Sequence, residues 1–229
     1  MLKLKFFKKQ QIWLPTIPGL ILIGVSCLAL TIFVINNLAN YLAQQQPVNK
    51  GILVVEGWVS EQTLLQAIRT YKTNPYQQVI TTGSLIKRRQ QREYKSYADS
   101  AAAFLLKNGI NKSDITSLPT PDSAQNRTFL SAVIVRDWLI KQKNKTQYID
   151  VVSEGVHARR TLTLYQMAFA NKLNIGIMAG EPEEYSLDSW WRASVGVKAV
   201  ISELVGLAWS MCCFYPGEYR SHQEKWGLS

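Results

Sequence analysis

Charge is missing from the first part of the sequence: no Asp, Glu, Lys or Arg occurs between Lys9 and Lys50. Within this stretch, residues 18–35 are apolar except for Pro, Gly, Ser and Thr. A bilayer core about 30 Å thick needs roughly 20 helical residues, and the run reaches that length with its apolar flanks. The stretch is therefore predicted to form a transmembrane helix.

A cleaved signal peptide is the alternative to a permanent anchor. Signal peptides have an apolar core of about 7–15 residues, followed by small residues at the cleavage site. The core here is longer, and the best cleavage position, Ala43, has Tyr41 where a small residue is needed. An uncleaved anchor is favoured.

Lysines around the apolar run predict its orientation. Lys3, Lys5, Lys8 and Lys9 precede it, whereas Lys50 alone follows in the next stretch. By the positive-inside rule the N-terminus is cytoplasmic and the remaining chain lies outside the cytoplasm, which in a bacterium is the outer side of the inner membrane. The predicted layout is a cytoplasmic basic N-terminus (1–11), a transmembrane signal-anchor (12–38), a linker (39–50), an α/β domain (51–212) and a C-terminal tail (213–229).

The domain after the anchor is basic. The chain has a net charge of +10. Four lysines precede the anchor, and all other Lys and Arg residues follow it. The densest basic run, 87–95, has two interpretations: contact with anionic headgroups or nucleic acid, or a solvated loop. The exported topology disfavours nucleic acid, and no protein partner can be named.

Cysteine and histidine are scarce, with three and two residues. Cys27 lies in the apolar run, and Cys212 and Cys213 are neighbours, which rarely pair without strain, so no disulfide framework is predicted. The sequence shows no zinc-binding pattern, and no metal site is predicted. Dehydrogenase, P-loop, serine hydrolase and zinc protease motifs are also missing, so the cofactor stays unknown.

Short β-branched runs alternate with amphipathic helical patterns after the linker, which is typical of βα repeats. The prediction is an α/β, Rossmann-like open and mainly parallel five-stranded sheet with flanking helices. Leu64, Leu65, Ile68 and Tyr71 mark the first helix after the anchor, with Ser60 as its cap. The predicted strands are 51–55, 78–82, 114–118, 148–153 and 173–178, and the further helices are 97–107, 128–141, 159–171 and 188–209.

The chemically distinctive residues follow the predicted strands. Carboxyl ends of parallel strands and N-termini of the next helices meet at one edge of such a sheet, where ligands bind. Arginines and His157 beside helix N-termini would form a concavity suited to phosphate, with Glu56 or Glu154 as general base. Catalytic candidates are therefore His157, Glu56 and Glu154, and ligand-binding candidates are Gly57, Thr82, Gly83, Arg127, Thr128, Arg159 and Arg160.

Each of these residues also has a structural interpretation. The glycines fit tight strand-to-helix turns, Thr128 fits a helix cap, and Glu56 fits an ion pair with an arginine. His157 is the only histidine in the predicted α/β core, and a lone histidine is more often structural than catalytic. Asp122 is a further candidate for either role.

At these loops the chain resembles the YdcF/SanA/ElyC family, a domain found in bacterial envelope proteins. The likeness covers roughly residues 50–209, and VVSEGVHARRT matches the family's histidine-x-x-arginine stretch with His157 and Arg160. The resemblance implies a Rossmann-like fold and a role in envelope biogenesis, with peptidoglycan or polyprenyl-phosphate precursors as ligands. Other points of likeness are LVVEGW, Thr82-Gly83, Gly109-Ile110, Arg127-Thr128 with Ser131-Ala132, and Trp190-Trp191 before the helix that contains Glu203.

Three functions are open at this point. The first is an envelope-maintenance protein that binds a phosphate-bearing precursor near the membrane. The second is a hydrolase or transferase acting on a phosphoester or glycan through His157 with Glu56 or Glu154. The third is a non-catalytic interaction module that docks a partner through the basic run or through residues 190–215.

Overall fold

The structure, a computed structural model, describes residues 14–86, 93–121 and 127–225. Most of the basic run, residues 87–92, and the candidate Asp122 lie outside the described residues. By its internal contacts the chain divides into two compact units, Met1–Asn36 and Asn37–Ser229. In the first unit, the described part is an apolar helix whose side chains are almost all exposed.

The described chain forms six α-helices and five strands, with short 3-10 turns between some of them. The helices are α1 (Ile17–Leu42), α2 (Glu61–Thr73), α3 (Tyr97–Lys107), α4 (Arg127–Lys141), α5 (Ala158–Ala168) and α6 (Ser194–Cys212). The strands are β1 (Gly51–Glu56), β2 (Tyr76–Ser84), β3 (Ile115–Thr120), β4 (Tyr148–Glu154) and β5 (Asn174–Gly180). By length and composition, α1 and α6 could each cross a membrane.

The five strands form one parallel sheet in the order β3-β2-β1-β4-β5. The predicted Rossmann-like α/β fold is therefore confirmed. After β3, the chain crosses to the other side of β1 to form β4, so the strand order reverses between β1 and β4. In open α/β sheets this reversal opens a crevice at the carboxyl ends of the strands, where ligands bind.

The helices cover both faces of the sheet. On one face Ile52 of β1 belongs to the same buried cluster as Phe129 of α4, and α5 contributes to this cluster. On the other face Leu53 belongs to a cluster with Leu64 of α2, and α3 contributes to it. Alternate residues of one strand therefore fill two cores, and each fully buried side chain of this size stabilises the fold by about 1.5–3 kcal/mol.

Local chemistry explains where the helices begin and end. The Ser60 side chain accepts a hydrogen bond from the Thr63 N–H and caps α2 as predicted, and Ser96 caps α3 in the same way. Helix α5 ends earlier than the predicted 159–171, because Ala170 and Asn171 have positive φ angles of 48° and 54°. The predicted helix 188–209 is instead a 3-10 segment (Leu187–Arg192) and α6, separated by the extended Ala193.

The predicted linker, 39–50, is packed on the domain and is not a free tether. Helix α1 continues to Leu42, and Ala39 and Leu42 are fully buried within the second unit. The backbone N–H groups of Val48 and Asn49 donate to the buried Asp150 carboxylate over 2.8 and 2.7 Å. Tyr76 donates to the same carboxylate over 2.6 Å. Burial and this bond raise the pKa of Tyr76 well above its ordinary value.

The predicted tail also packs on the domain. The fully buried Arg136 of α4 donates to both oxygens of Glu224, over 2.7 Å each. Asp137 accepts from Arg136 and pairs with Lys225 over 2.8 Å. The C-terminal segment up to residue 225 is thus held to α4 by a buried two-bond ion pair.

Helix α6 packs mainly on α5, on the 3-10 segment directly before it (Leu187–Arg192) and on the 3-10 turn Gly155–His157 that precedes α5. Its buried residues are Gly196, Val200, Leu207 and Ser210. The sequence analysis expected a helix that covers the sheet, but α6 lies outside α5. Cys212 and Cys213 at its end form a disulfide between adjacent residues, a pairing that the sequence analysis described as rare. Their Cα atoms are 3.8 Å apart, as they are in any pair of neighbours joined by a trans peptide.

Candidate functional site

A cavity of about 500 Å³ opens at the carboxyl ends of the strands, beside the crevice between β1 and β4. Residues from the ends of β1 and β2 and from the starts of α3, α4 and α5 meet there, and α6 closes one side. The cavity is lined by Glu56, Trp58, Gly83, Ser84, Tyr97, Arg127, Thr128, Ser131, His157, Arg160 and Glu203.

His157 lies at the centre of a hydrogen-bonded cluster with Glu203 and Arg160. Its Nδ1 is 2.9 Å from Oε1 of Glu203. Arg160 donates from Nε to Oε2 of Glu203 over 2.7 Å and from Nη2 to Oε1 over 3.0 Å. Arg160 Nη2 is also 3.0 Å from His157 Nδ1. Two cationic or polar groups therefore converge on one carboxylate.

Glu203 is ionised throughout the neutral pH range. Burial acts to raise the pKa of Glu203, but hydrogen bonds and charges from His157 and Arg160 outweigh it and lower the pKa to about 2. Because the carboxylate can only accept, we assign the proton on Nδ1 of His157 to the bond with Glu203. In that tautomer the other ring nitrogen, Nε2, is the acceptor.

Nε2 of His157 lies 3.2 Å from Oγ1 of Thr128, near the start of α4. With the proton on Nδ1, the Thr128 hydroxyl donates to Nε2. The indole of Trp58 packs edge-on against the imidazole, with ring centres 5.1 Å apart. Glu203, His157 and Thr128 thus form a carboxylate, imidazole and hydroxyl series that opens into the cavity.

The first turn of α4 supplies a second set of polar groups. Arg127 is the first residue of the helix and is exposed, and it pairs with no carboxylate among residues 14–86, 93–121 and 127–225. The hydroxyls of Thr128 and Ser131 lie on the same cavity wall. A helix N-terminus carries a partial positive charge, so this wall favours an anion.

Glu56 forms the floor of the cavity and is almost fully buried, with 2% exposure. One of its oxygens, Oε2, accepts from Ser153 over 2.5 Å and lies 3.4 Å from the Thr161 hydroxyl. No described arginine or lysine pairs with Glu56, so its structural role as an ion-pair partner stays a prediction.

Glu154 lies apart from this cavity. Its carboxylate accepts from the backbone N–H of Ser60 over 3.1 Å and from the Ser60 hydroxyl over 3.1 Å, at the start of α2. It lines a neighbouring cavity of about 440 Å³ together with Trp58, His157, Tyr185 and Glu203. Burial, with the charges of Glu154 and Glu203, raises the pKa of Tyr185 to about 12.

Two of the candidate glycines allow the turn after β1 and the end of β2 to lie against the start of α3. A Cβ on Gly57 would collide with the Tyr97 carbonyl and the Ala98 N–H, and a Cβ on Gly83 would lie 2.9 Å from the Tyr97 Cβ. The Gly57 N–H donates to the Thr82 carbonyl over 2.7 Å. Gly83 is part of the cavity lining, whereas Gly57 is not.

Among the candidates, Glu56, Gly83, Arg127, Thr128, His157 and Arg160 line the larger cavity. Arg159 does not, because its guanidinium stacks on the Tyr41 ring at 3.7 Å and its Nε donates to the Tyr41 carbonyl over 2.5 Å. Thr82 is 1% exposed and does not reach the cavity.

Glu203 completes the site, yet the sequence analysis named it only as part of the last helix. One signal could have found it, since Glu203 is the sole acidic residue of the mainly apolar α6. No group of three or more His, Cys, Asp or Glu residues suited to a metal ion occurs in the described part of the chain.

The fold and the cavity define this chain as a parallel α/β protein with a polar cavity beside its strand-order reversal. The chain matches no protein-family model, and it has no significant match among curated proteins.

Proposed function

We propose that this chain is a membrane-anchored protein of the bacterial cell envelope that binds a phosphate-bearing precursor, related to peptidoglycan or a polyprenyl phosphate. The observation that carries the proposal is the cavity wall formed by the first turn of α4. There Arg127, without a carboxylate partner among the described residues, lies beside the hydroxyls of Thr128 and Ser131.

These groups match the chemistry of a phosphate monoester or diester. Hydroxyls and helix N–H groups donate to phosphate oxygens, and a guanidinium can donate two parallel hydrogen bonds. Arg160 adds a second positive charge to the cavity lining, although Glu203 already holds two of its donors. Arg127 is therefore the cation that a phosphate would engage first.

The location in the envelope rests on the N-terminal helix. Helix α1 is long and apolar enough to cross a bilayer, and the lysines before it favour a cytoplasmic N-terminus. The domain would then lie at the outer surface of the inner membrane, where lipid-linked precursors are available. The resemblance to the YdcF/SanA/ElyC family supports the same setting.

Binding of a polyprenyl phosphate by the full-length protein in lipid nanodiscs tests this proposal. The polyprenyl phosphate should bind, and the corresponding polyprenol without phosphate should not. Arg127→Ala should weaken binding at least about tenfold, because a hydrogen bond to a charged group contributes about 1.5–3 kcal/mol. Arg159→Ala is the matched control, since it removes a neighbouring arginine that points away from the cavity. Equal affinity of Arg127→Ala and the unaltered protein would overturn the proposal.

A second candidate function is hydrolysis of a phosphoester, and the Glu203, His157 and Thr128 series favours it. In such a series the carboxylate orients the imidazole, and Nε2 takes a proton from a hydroxyl or a water molecule. Water attacking phosphorus would give its proton to Nε2 of His157. That proton would then pass to the alkoxide that leaves as the P–O ester bond breaks.

The second candidate corrects the earlier pairing of His157 with Glu56 or Glu154. Glu203 is the carboxylate in contact with Nδ1, whereas Glu154 serves the start of α2. Turnover of a panel of phosphomonoesters by the full-length protein decides the matter. We expect His157→Gln to abolish turnover while Arg159→Ala retains it. If neither the unaltered protein nor any variant releases phosphate, the site only binds.

A further inference from the structure

Helix α6 presents a second apolar face, directed away from the domain. Its buried side is formed by Gly196, Val200, Leu207 and Ser210. The opposite side carries large apolar residues that are exposed: Val197, Ile201, Leu204, Val205, Trp209 and Met211.

The exposed residues form a continuous stripe. With 3.6 residues per turn, Leu204, Val197, Ile201 and Val205 fall within an arc of about 100° on the helix surface. Ala208, also exposed, lies inside this arc. A surface helix normally turns polar residues to solvent, so α6 has the composition of a helix that is covered on both sides.

Charge and aromatic residues around the stripe fit a lipid surface. The only charged residues of α6 are Lys198, at the border of the stripe, and Glu203, which is bound to His157 and Arg160 on the other side. The stripe itself contains no acidic residue to repel anionic headgroups. Trp191 before the helix and Trp209 near its end are both exposed, and tryptophan is enriched at membrane interfaces.

The start of α6 lies beside the point where the first helix enters the domain. Within the second unit, Asn40 donates to the Asp188 carboxylate over 2.9 Å, and Asp188 belongs to the 3-10 segment directly before α6. Arg159 of α5, on which α6 packs, stacks on Tyr41. The apolar face therefore begins near the segment that connects the domain to its anchor.

We propose that α6 lies in the membrane interface, with this apolar face inserted among the lipid headgroups and upper acyl chains. An interfacial helix of this type inserts by roughly 5–10 Å, and the lysine at its border extends to the headgroup phosphates. The inference rests on the proposed membrane anchoring and is independent of the phosphate ligand. It adds a second membrane contact, which fixes the orientation of the domain on the bilayer.

Nitroxide depth measurements on the full-length protein in vesicles of neutral and anionic lipid test the inference. Single cysteines for labelling are placed at Ile201 or Val205 in a Cys27→Ser background, which removes the free cysteine of the described chain. Labelling without reductant leaves the Cys212–Cys213 disulfide oxidised and unlabelled. Arg69→Cys and Lys107→Cys are the matched controls, because these exposed positions lie on α2 and α3, across the sheet.

The expected result is that labels at 201 and 205 are more accessible to oxygen than to a water-soluble nickel complex, with the reverse at 69 and 107. Equal nickel accessibility at all four positions would overturn the inference. Spin–spin broadening at 201 that disappears on dilution with unlabelled protein would also overturn it and identify a second copy as the occupant.

A second measurement covers the case in which labelled variants fold poorly. The fluorescence of Trp209 is the difference between the unaltered protein and the Trp209→Phe variant. Brominated lipids should quench this difference, and absence of the quenching would contradict insertion. Extraction at alkaline pH separates the two proposals: release of the protein refutes the anchor, whereas retention with a solvent-exposed α6 refutes only the interfacial helix.

Discussion

Nδ1 of His157 lies 2.9 Å from Oε1 of Glu203, although 46 positions separate them in the chain. This contact joins the loop after β4 to the helix that follows the last strand. It holds the imidazole with Nε2 directed at Thr128 and the larger cavity. The cluster is thus both a structural link and the chemical centre of the site.

Glu203→Gln should flatten the acid side of the stability profile. The pKa of Glu203 is about 2 in the folded protein and 4.5 ordinarily, so its ionised form stabilises the fold above about pH 4.5. This contribution is lost as the pH falls from about 4.5 towards 2. Thermal midpoints of both proteins in detergent should differ at neutral pH and converge in acid. A constant difference across the range would contradict the assignment.

Asp150→Asn should detach the segment after α1 and lower stability by about 2–4 kcal/mol, because three donors, one buried and two partly buried, lose a charged acceptor. Tyr76→Phe is the milder comparison, since it removes one donor and leaves both backbone bonds. Chemical unfolding in detergent measures both changes. Limited proteolysis around residues 43–50 should become faster in Asp150→Asn alone.

Glu224→Gln should lower stability by about 1.5–3 kcal/mol, because the buried Arg136 loses the charged acceptor of two hydrogen bonds and keeps only the partly exposed Asp137 as an ionic partner. Glu218→Gln, at an exposed position nearby, is the control and should have no effect. Thermal unfolding compares the two variants. Equal midpoints would show that the Arg136–Glu224 ion pair contributes nothing to stability.

Thr82→Val should keep or raise stability, by up to about 1 kcal/mol, and should leave ligand binding unchanged. The Thr82 hydroxyl is buried without a hydrogen-bond partner among the described residues, and valine has nearly the same shape. Thermal unfolding and the polyprenyl phosphate assay measure the two effects. A clear loss of stability would show that the hydroxyl is hydrogen-bonded.

The sheet was predictable because each strand has a local signature. Runs such as Gly51–Glu56 are apolar on both faces, and a strand buried on both sides reads that way in the sequence. The predicted ends of β3 and of α5 differ from the structure for local reasons. Pro119 lies within β3, where an edge strand tolerates it, and positive φ angles ended α5 early.

The site was only partly predictable, because strand ends place residues at one edge without fixing where side chains point. Arg159 and Arg160 are adjacent on α5, yet one stacks on Tyr41 and the other binds Glu203. Glu154 follows β4 but is used by the start of α2. The contact with Glu203 depends on how α6 packs on α5, which no local pattern encodes.

The two cavities share part of their lining, which consists of Trp58, His157 and Glu203. A ligand in one cavity that displaces these shared side chains changes the shape of the other cavity. Two compounds could then influence each other without competing for space, and by thermodynamic linkage the influence would be equal in both directions. Titrating one compound in the presence of the other would measure this coupling as a shift in the apparent affinity of the titrated compound.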